Sequence, residues 1–91
     1  MKTQTPELSI PTVHMNGTSK NELLDQLSSV YEALDNVLDV MRNASPNGRD
    51  YYTQEHGSFE KAVTEHRHRA LKVYAVRDEV ETLIYCIDDA S

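Results

Sequence analysis

The sequence predicts an all-α chain: an antiparallel two-helix hairpin with an extended N-terminal arm, associating into a helical-bundle homo-oligomer. Three observations predict it. Residues 19–44 and 58–88 each carry apolar side chains at a helical period. The interval between them holds Pro46, Asn47 and Gly48, which punctuate rather than propagate a helix. The chain has 91 residues, enough for one domain and no more.

Residues 1–17 form the arm, and 18–91 the hairpin domain. Pro6, Pro11 and Gly17 interrupt the arm, Pro11 turns Ile10 away from helix, and Asn16-Gly17 marks a turn. The first helix opens on Ser19-Lys20-Asn21-Glu22, a capping box in which hydroxyl and carboxylate each satisfy an orphan backbone N–H. Its apolar positions run Leu24, Leu27, Tyr31, Leu34, Leu38 and Met41, in steps of three and four that stay on one stripe. Leu23, Val30 and Val37 sit one position earlier and widen it, while Asp25, Glu32, Asp35 and Asp39 occupy the far side.

Residues 45–57 connect the helices. Pro46 stops the first, and Asn47-Gly48 is expected to supply a turn at positive φ. The loop is long for two packed helices, and its adjacent Tyr51 and Tyr52 argue for order and function. The second helix starts at Ser58, its expected N-cap, and follows Phe59, Ala62, Val63, His66, Ala70, Val73, Val80, Ile84 and Ile87. Nothing in 59–87 is Gly or Pro. The charge of this helix is polarised: basic residues fill its first two-thirds, and Asp78, Glu79, Glu81, Asp88 and Asp89 its end.

A hairpin has a single layer of contact. Leaving half a dozen aliphatic side chains wet, at roughly 1.5–3 kcal/mol each, forfeits as much as the whole stability of a small domain. Self-association recovers it, hence the expected oligomer. The alternative is an arm that folds back over the stripe in a monomer.

Composition narrows the function classes. Nine basic residues against fifteen acidic give a net charge of −6, which argues against general nucleic-acid binding. The lone Cys86 excludes an internal disulfide and a Cys-based zinc site, and reads as a packing residue. No apolar run reaches the length of a membrane helix and no secretory block opens the chain, so a cytoplasmic protein without membrane contact is expected. There is no nucleophile with a recognisable partner, no glycine-rich phosphate loop and no paired-carboxylate or metal motif. The reading is non-enzymatic, with no cofactor and no metal.

Three polar clusters carry what chemistry there is. His14, Asn16, Thr18 and Ser19 offer an imidazole, small polar groups and free N–H groups at a helix start, a setting suited to an anion; a plain helix cap explains the same residues. In the loop, Asn47 and Arg49 to Tyr52 combine a forked cation, a carboxylate (Asp50) and two flat rings (Tyr51, Tyr52), the groups that hold phosphate, sugar and base; a packed turn explains them equally. In the second helix, His66 shares a face with Arg69 and could line an anion pocket, or belong to a solvated basic face paired with Asp35 or Glu32. The first two clusters lie about 35–40 Å apart along one hairpin, so unless the arm runs back along the bundle a shared site is expected at a subunit interface.

The string Ile10-Pro11-Thr12-Val13-His14-Met15-Asn16-Gly17-Thr18-Ser19, with Pro46-Asn47-Gly48-Arg49-Asp50-Tyr51-Tyr52 and a helix bearing His66 and Arg69, resembles a group of small uncharacterised proteins of tailed bacteriophages and prophages. The resemblance spans roughly residues 10–88. It implies a phage accessory protein made in the host bacterial cytoplasm. Many small helical phage proteins counter host defence, some as oligomeric sponges for nucleotide immune signals, others by binding a defence protein. The expectation is therefore a sequestering protein for a small anionic, nucleotide-like ligand at subunit-interface pockets. In it Arg49 and Arg69 neutralise phosphate, Tyr51 and Tyr52 stack, and residues 14–19 hydrogen-bond. The alternatives are a module that binds and inhibits a host protein, and a phage structural or assembly protein.

Overall fold

The computed structural model describes residues 8–89; the expectations for residues 1–7 and 90–91 lie outside them. Two helices, α1 (Lys20–Asn43) and α2 (Ser58–Asp89), pack against each other, and a single 3₁₀ turn (Gly48–Asp50) lies between them. Among the described residues there is no strand, and residues 8–19 form neither helix nor strand. The molecule measures 62 × 32 × 16 Å, and its smallest dimension is little more than one layer of helices thick.

The α1 start is close to the capping box. The Ser19 Oγ accepts from the Glu22 N–H at 3.2 Å. The Glu22 carboxylate departs from the expected reciprocal bond, accepting from the Ser19 hydroxyl at 2.9 Å. At the other end Ala44 donates its N–H to the last turn, two residues before Pro46. The expected stripe faces α2: Leu38 is buried and Leu24, Leu27, Tyr31, Leu34 and Met41 are half-buried.

The turns differ from expectation in a consistent way. The Asn47-Gly48 pair does not take the expected positive φ. Instead Asn47 is extended and its Oδ1 accepts from the Arg49 N–H at 3.0 Å, which caps the 3₁₀ turn. The left-handed residue is Gly57, at φ 91°. Its carbonyl accepts from the Lys61 N–H at 3.0 Å, so Gly57 holds the capping place expected of Ser58, which is the first residue of α2. A Cβ-free residue there lets the chain reverse into the helix without steric cost.

On α2 the period is the expected one, with Ala62, Val80 and Ile87 buried and Phe59, Val63, His66, Ala70, Val73 and Ile84 half-buried. Two bonds fasten the ends of the hairpin. The Lys20 Nζ donates to the Asp88 carbonyl at 2.8 Å at the open end. At the loop end the His66 Nε2 lies 2.9 Å from the Met41 carbonyl. Among the described residues, Leu38, Ala62, Val80 and Ile87 are the whole buried core. Cys86 is exposed rather than packed, because it falls on the side of α2 turned away from α1. Among the described residues no helix is long and apolar enough to cross a membrane.

Candidate functional site

The loop end holds an open, shallow concavity. Consecutive turn bonds, from Asp50 N–H to Asn47, Tyr51 N–H to Gly48 and Gln54 N–H to Tyr51 carbonyls, fold residues 47–54 tightly. They bring the Tyr51 ring against Phe59 of the first α2 turn, with centroids 6.2 Å apart and planes tilted by 46°. Behind that contact lies a cavity of about 250 Å³ lined by Tyr51, Gln54, Ser58, Lys61, Ala62 and Glu65. Its wall offers one cation, one carboxylate, a phenol and short polar groups over an alanine floor. It is smaller than the usual pocket for a drug-sized molecule.

The eleven residues singled out in the sequence do not gather there. Tyr51 lines the cavity, and none of the others does. Arg49, Asp50 and Tyr52 are exposed, Tyr52 at 80%. Asn47 is occupied as a cap. His66 faces the helix seam, where its Nε2 lies 2.9 Å from the Met41 carbonyl, which also accepts from the Ala44 N–H that closes α1. Arg69 is three residues further, about 60° around the helix, and is exposed. His14, Asn16, Thr18 and Ser19 stand at the opposite end of α1, about 36 Å away. There the Gly17 N–H donates to the His14 carbonyl at 3.1 Å. The His14 ring crosses so close to Gly17 that an added Cβ would meet its Nε2 at 2.8 Å. Among the described residues no three His, Cys, Asp or Glu side chains are grouped to hold a metal ion.

No family model, curated protein or solved structure matches the chain.

The most elaborate polar arrangement is one that sequence reading missed. Halfway along the hairpin the Arg77 guanidinium lies between two rings, 5.3 Å from the Tyr31 centroid and 5.1 Å from that of Tyr74. Its Nη1 donates to Asp35 Oδ1. The Tyr31 hydroxyl reaches Glu81 Oε2 at 3.5 Å, and the Arg77 Nε is buried without a partner. The hydrogen bond to Asp35 raises the Arg77 pKa further above its ordinary value. Burial raises that of Tyr31, and the Arg77 charge opposes the rise in part. Asp35, a candidate partner for the His66 cluster on sequence alone, belongs here. The signal was available: Arg77 lies four residues after Val73 and three before Val80, on the apolar period, where a charge needs a partner.

Proposed function

We propose that this is a non-enzymatic accessory protein of a phage or prophage that acts in the bacterial cytoplasm as a homo-oligomer. In this reading it binds and sequesters a small anionic, nucleotide-like ligand in clefts bordered by more than one copy. The observation that carries the reading is an imbalance. The hairpin buries four side chains among its described residues, while Val30, Val37, Val40, Leu71 and Val76 stay exposed. A chain in that state gains most by covering those surfaces with further protein. The polar groups fit such clefts better than a single-chain site: one hairpin holds 14–19 and 47–52 apart, and its loop-end cavity has one cation. Additional copies supply further cations and rings.

The test is calorimetry of the full chain against a panel of nucleotides, cyclic dinucleotides and ADP-ribose derivatives, with sedimentation on the same sample. The expected result is an oligomer that releases or takes up heat with at least one anion, and an Arg49→Ala variant that binds it more weakly. A silent panel, with wild type and Arg49→Ala alike, rejects the ligand.

One observation favours the second reading, a module that docks on a host protein. Tyr52 is almost wholly exposed on the loop tip, and exposed tyrosines are common interface anchors. Tyr52→Ala then abolishes capture of the target without altering the oligomer.

A further inference from the structure

We propose that the Arg77 cluster is a register key: it holds α1 and α2 in the observed alignment and excludes one slipped by seven residues, which the rest of the hairpin accommodates.

Three contacts fix the observed alignment to within a residue. Lys20 meets Asp88, Tyr31 meets Arg77, and Met41 meets His66. From its place level with Tyr31, the Arg77 side chain reaches one turn along α1 to Asp35. The Lys20 and His66 contacts end on main-chain carbonyls, which carry no side-chain identity. Of the three, only the Arg77 contact depends on both side chains.

The apolar stripes do not choose between the two alignments. A slip of seven residues turns a helix by only about 20°, so the same faces still meet. When α2 slides toward the start of α1, Met41 comes level with Phe59, Leu38 with Val63 and Tyr31 with Ala70, all members of the two stripes. Lys20 comes level with Glu81 and Asp35 with His66, so these groups keep polar company. Length does not choose either. Helix α2 has 32 residues and α1 has 24, so the slide keeps all of α1 covered and brings Ser58 level with Asn43. Residues 44–57 then join two adjacent helix ends, well within the reach of such a loop.

What the slide cannot satisfy is Arg77. It moves from Tyr31 and Asp35 to Leu24 and Ser28, an aliphatic side chain and a neutral hydroxyl. The guanidinium, whose side chain is 25% exposed, then lacks both its counter-charge and a ring from α1. Sliding the other way sets it against Leu38 and Arg42, a like charge, and runs the start of α1 past the end of α2. Stability is not the cluster's main contribution. The Arg77 Nε is buried without a partner and the Asp35 side chain is 47% exposed, so the pair regains little of what burying the charge costs. Its weight lies in the alternative it forbids, the role that a polar group in a helical seam fills best.

The test combines Arg77→Met with Asp35→Asn, which removes both charges and keeps the seam filled. Spin labels at Cys86 on α2 and at Asn36→Cys on α1, both exposed, report the alignment as a distance. Labelled chain is diluted in unlabelled chain, so that only distances within one chain are read. A slip of seven residues slides α2 about 10 Å along α1 and displaces that distance. The expected result is one distance in the chain that keeps Arg77 and Asp35, and two or more in the double variant, at native helicity by circular dichroism and with little change in melting temperature. A single, unchanged distance in the double variant overturns the key. So does a double variant that has lost its helices, because the cluster then supplies the stability of the hairpin rather than its alignment. Both outcomes leave the oligomeric reading untouched, since the key acts within one chain.

Discussion

The two broad sides of the hairpin invert the usual rule of burial. On one, the Arg77 side chain is only 25% exposed, held between two rings and paired with Asp35. On the other, Val30, Val37 and Val76 are 41–49% exposed and touch nothing comparable. The difference separates what each side accomplishes within one chain. The Arg77 side is chemically complete, since its charge has a partner and its stem has aromatic cover. The valine side leaves its aliphatic surface open to solvent within the single chain. A hairpin of two helices can surround a side chain from two directions only, and the sequence uses that limited cover for its costliest group.

Four measurements would break or sharpen this contrast. The largest effect belongs to neither side but to the seam between them: Leu38, 3% exposed, becomes a cavity in Leu38→Ala and costs about 2–5 kcal/mol in urea unfolding. A much smaller loss would mean that the seam is loosely packed and that stability resides elsewhere. Next comes Arg77→Met, which strands Asp35 and is expected to lower the melting temperature by several degrees. Adding Asp35→Asn should restore most of it, because the penalty lies in the unpaired charge. Additive losses would show that the ring sandwich, not the pair, carries the contribution.

Tyr31 gives a smaller, pH-dependent effect. Its folded-state pKa is raised above the ordinary 10.0, so the unfolded chain loses this proton first as pH rises. Its contribution is therefore intact below pH 10 and is lost as pH climbs from there through the higher folded value. Tyr31→Phe should flatten that alkaline limb in a melting-temperature series, and an unchanged limb would assign it to other groups. The smallest effect is expected on the valine side. Val30→Thr should change unfolding of the dilute hairpin by no more than about 0.5 kcal/mol, yet weaken self-association measurably in sedimentation. A large loss in dilute solution would mean that Val30 is already covered within the single chain.

How much of this was legible in the residues follows from what a helical period can carry. The stripe from Leu24 to Met41 and the run from Phe59 to Ile87 specify which residues face the partner helix, and that is where they face. The Ser19 cap was legible because its chemistry is local. Turn geometry was less so: Asn47-Gly48 and Gly57-Ser58 both fit a reversal, and only the tertiary path decides that Gly57 takes positive φ. Arg77 reads in sequence as one of several solvated cations, although its place on the apolar period sets it apart. The candidate site suffered most. Sequence spacing puts His66 and Arg69 on adjoining helical positions, but which of them turns into the seam depends on α1, and His66 does.

Gly57 has a mechanical consequence. It sits at the base of a 32-residue helix, about 48 Å long, in a backbone state that disfavours any side chain by about 1–2 kcal/mol. A Cβ there would meet no atom within 4 Å, so the strain is the backbone's alone, and relieving it by a tilt of about 5° would sweep the far tip through about 4 Å. That tip carries the Asp88 carbonyl held by Lys20, so a relaxed backbone angle at one extremity would be felt as a strained or broken clasp at the other.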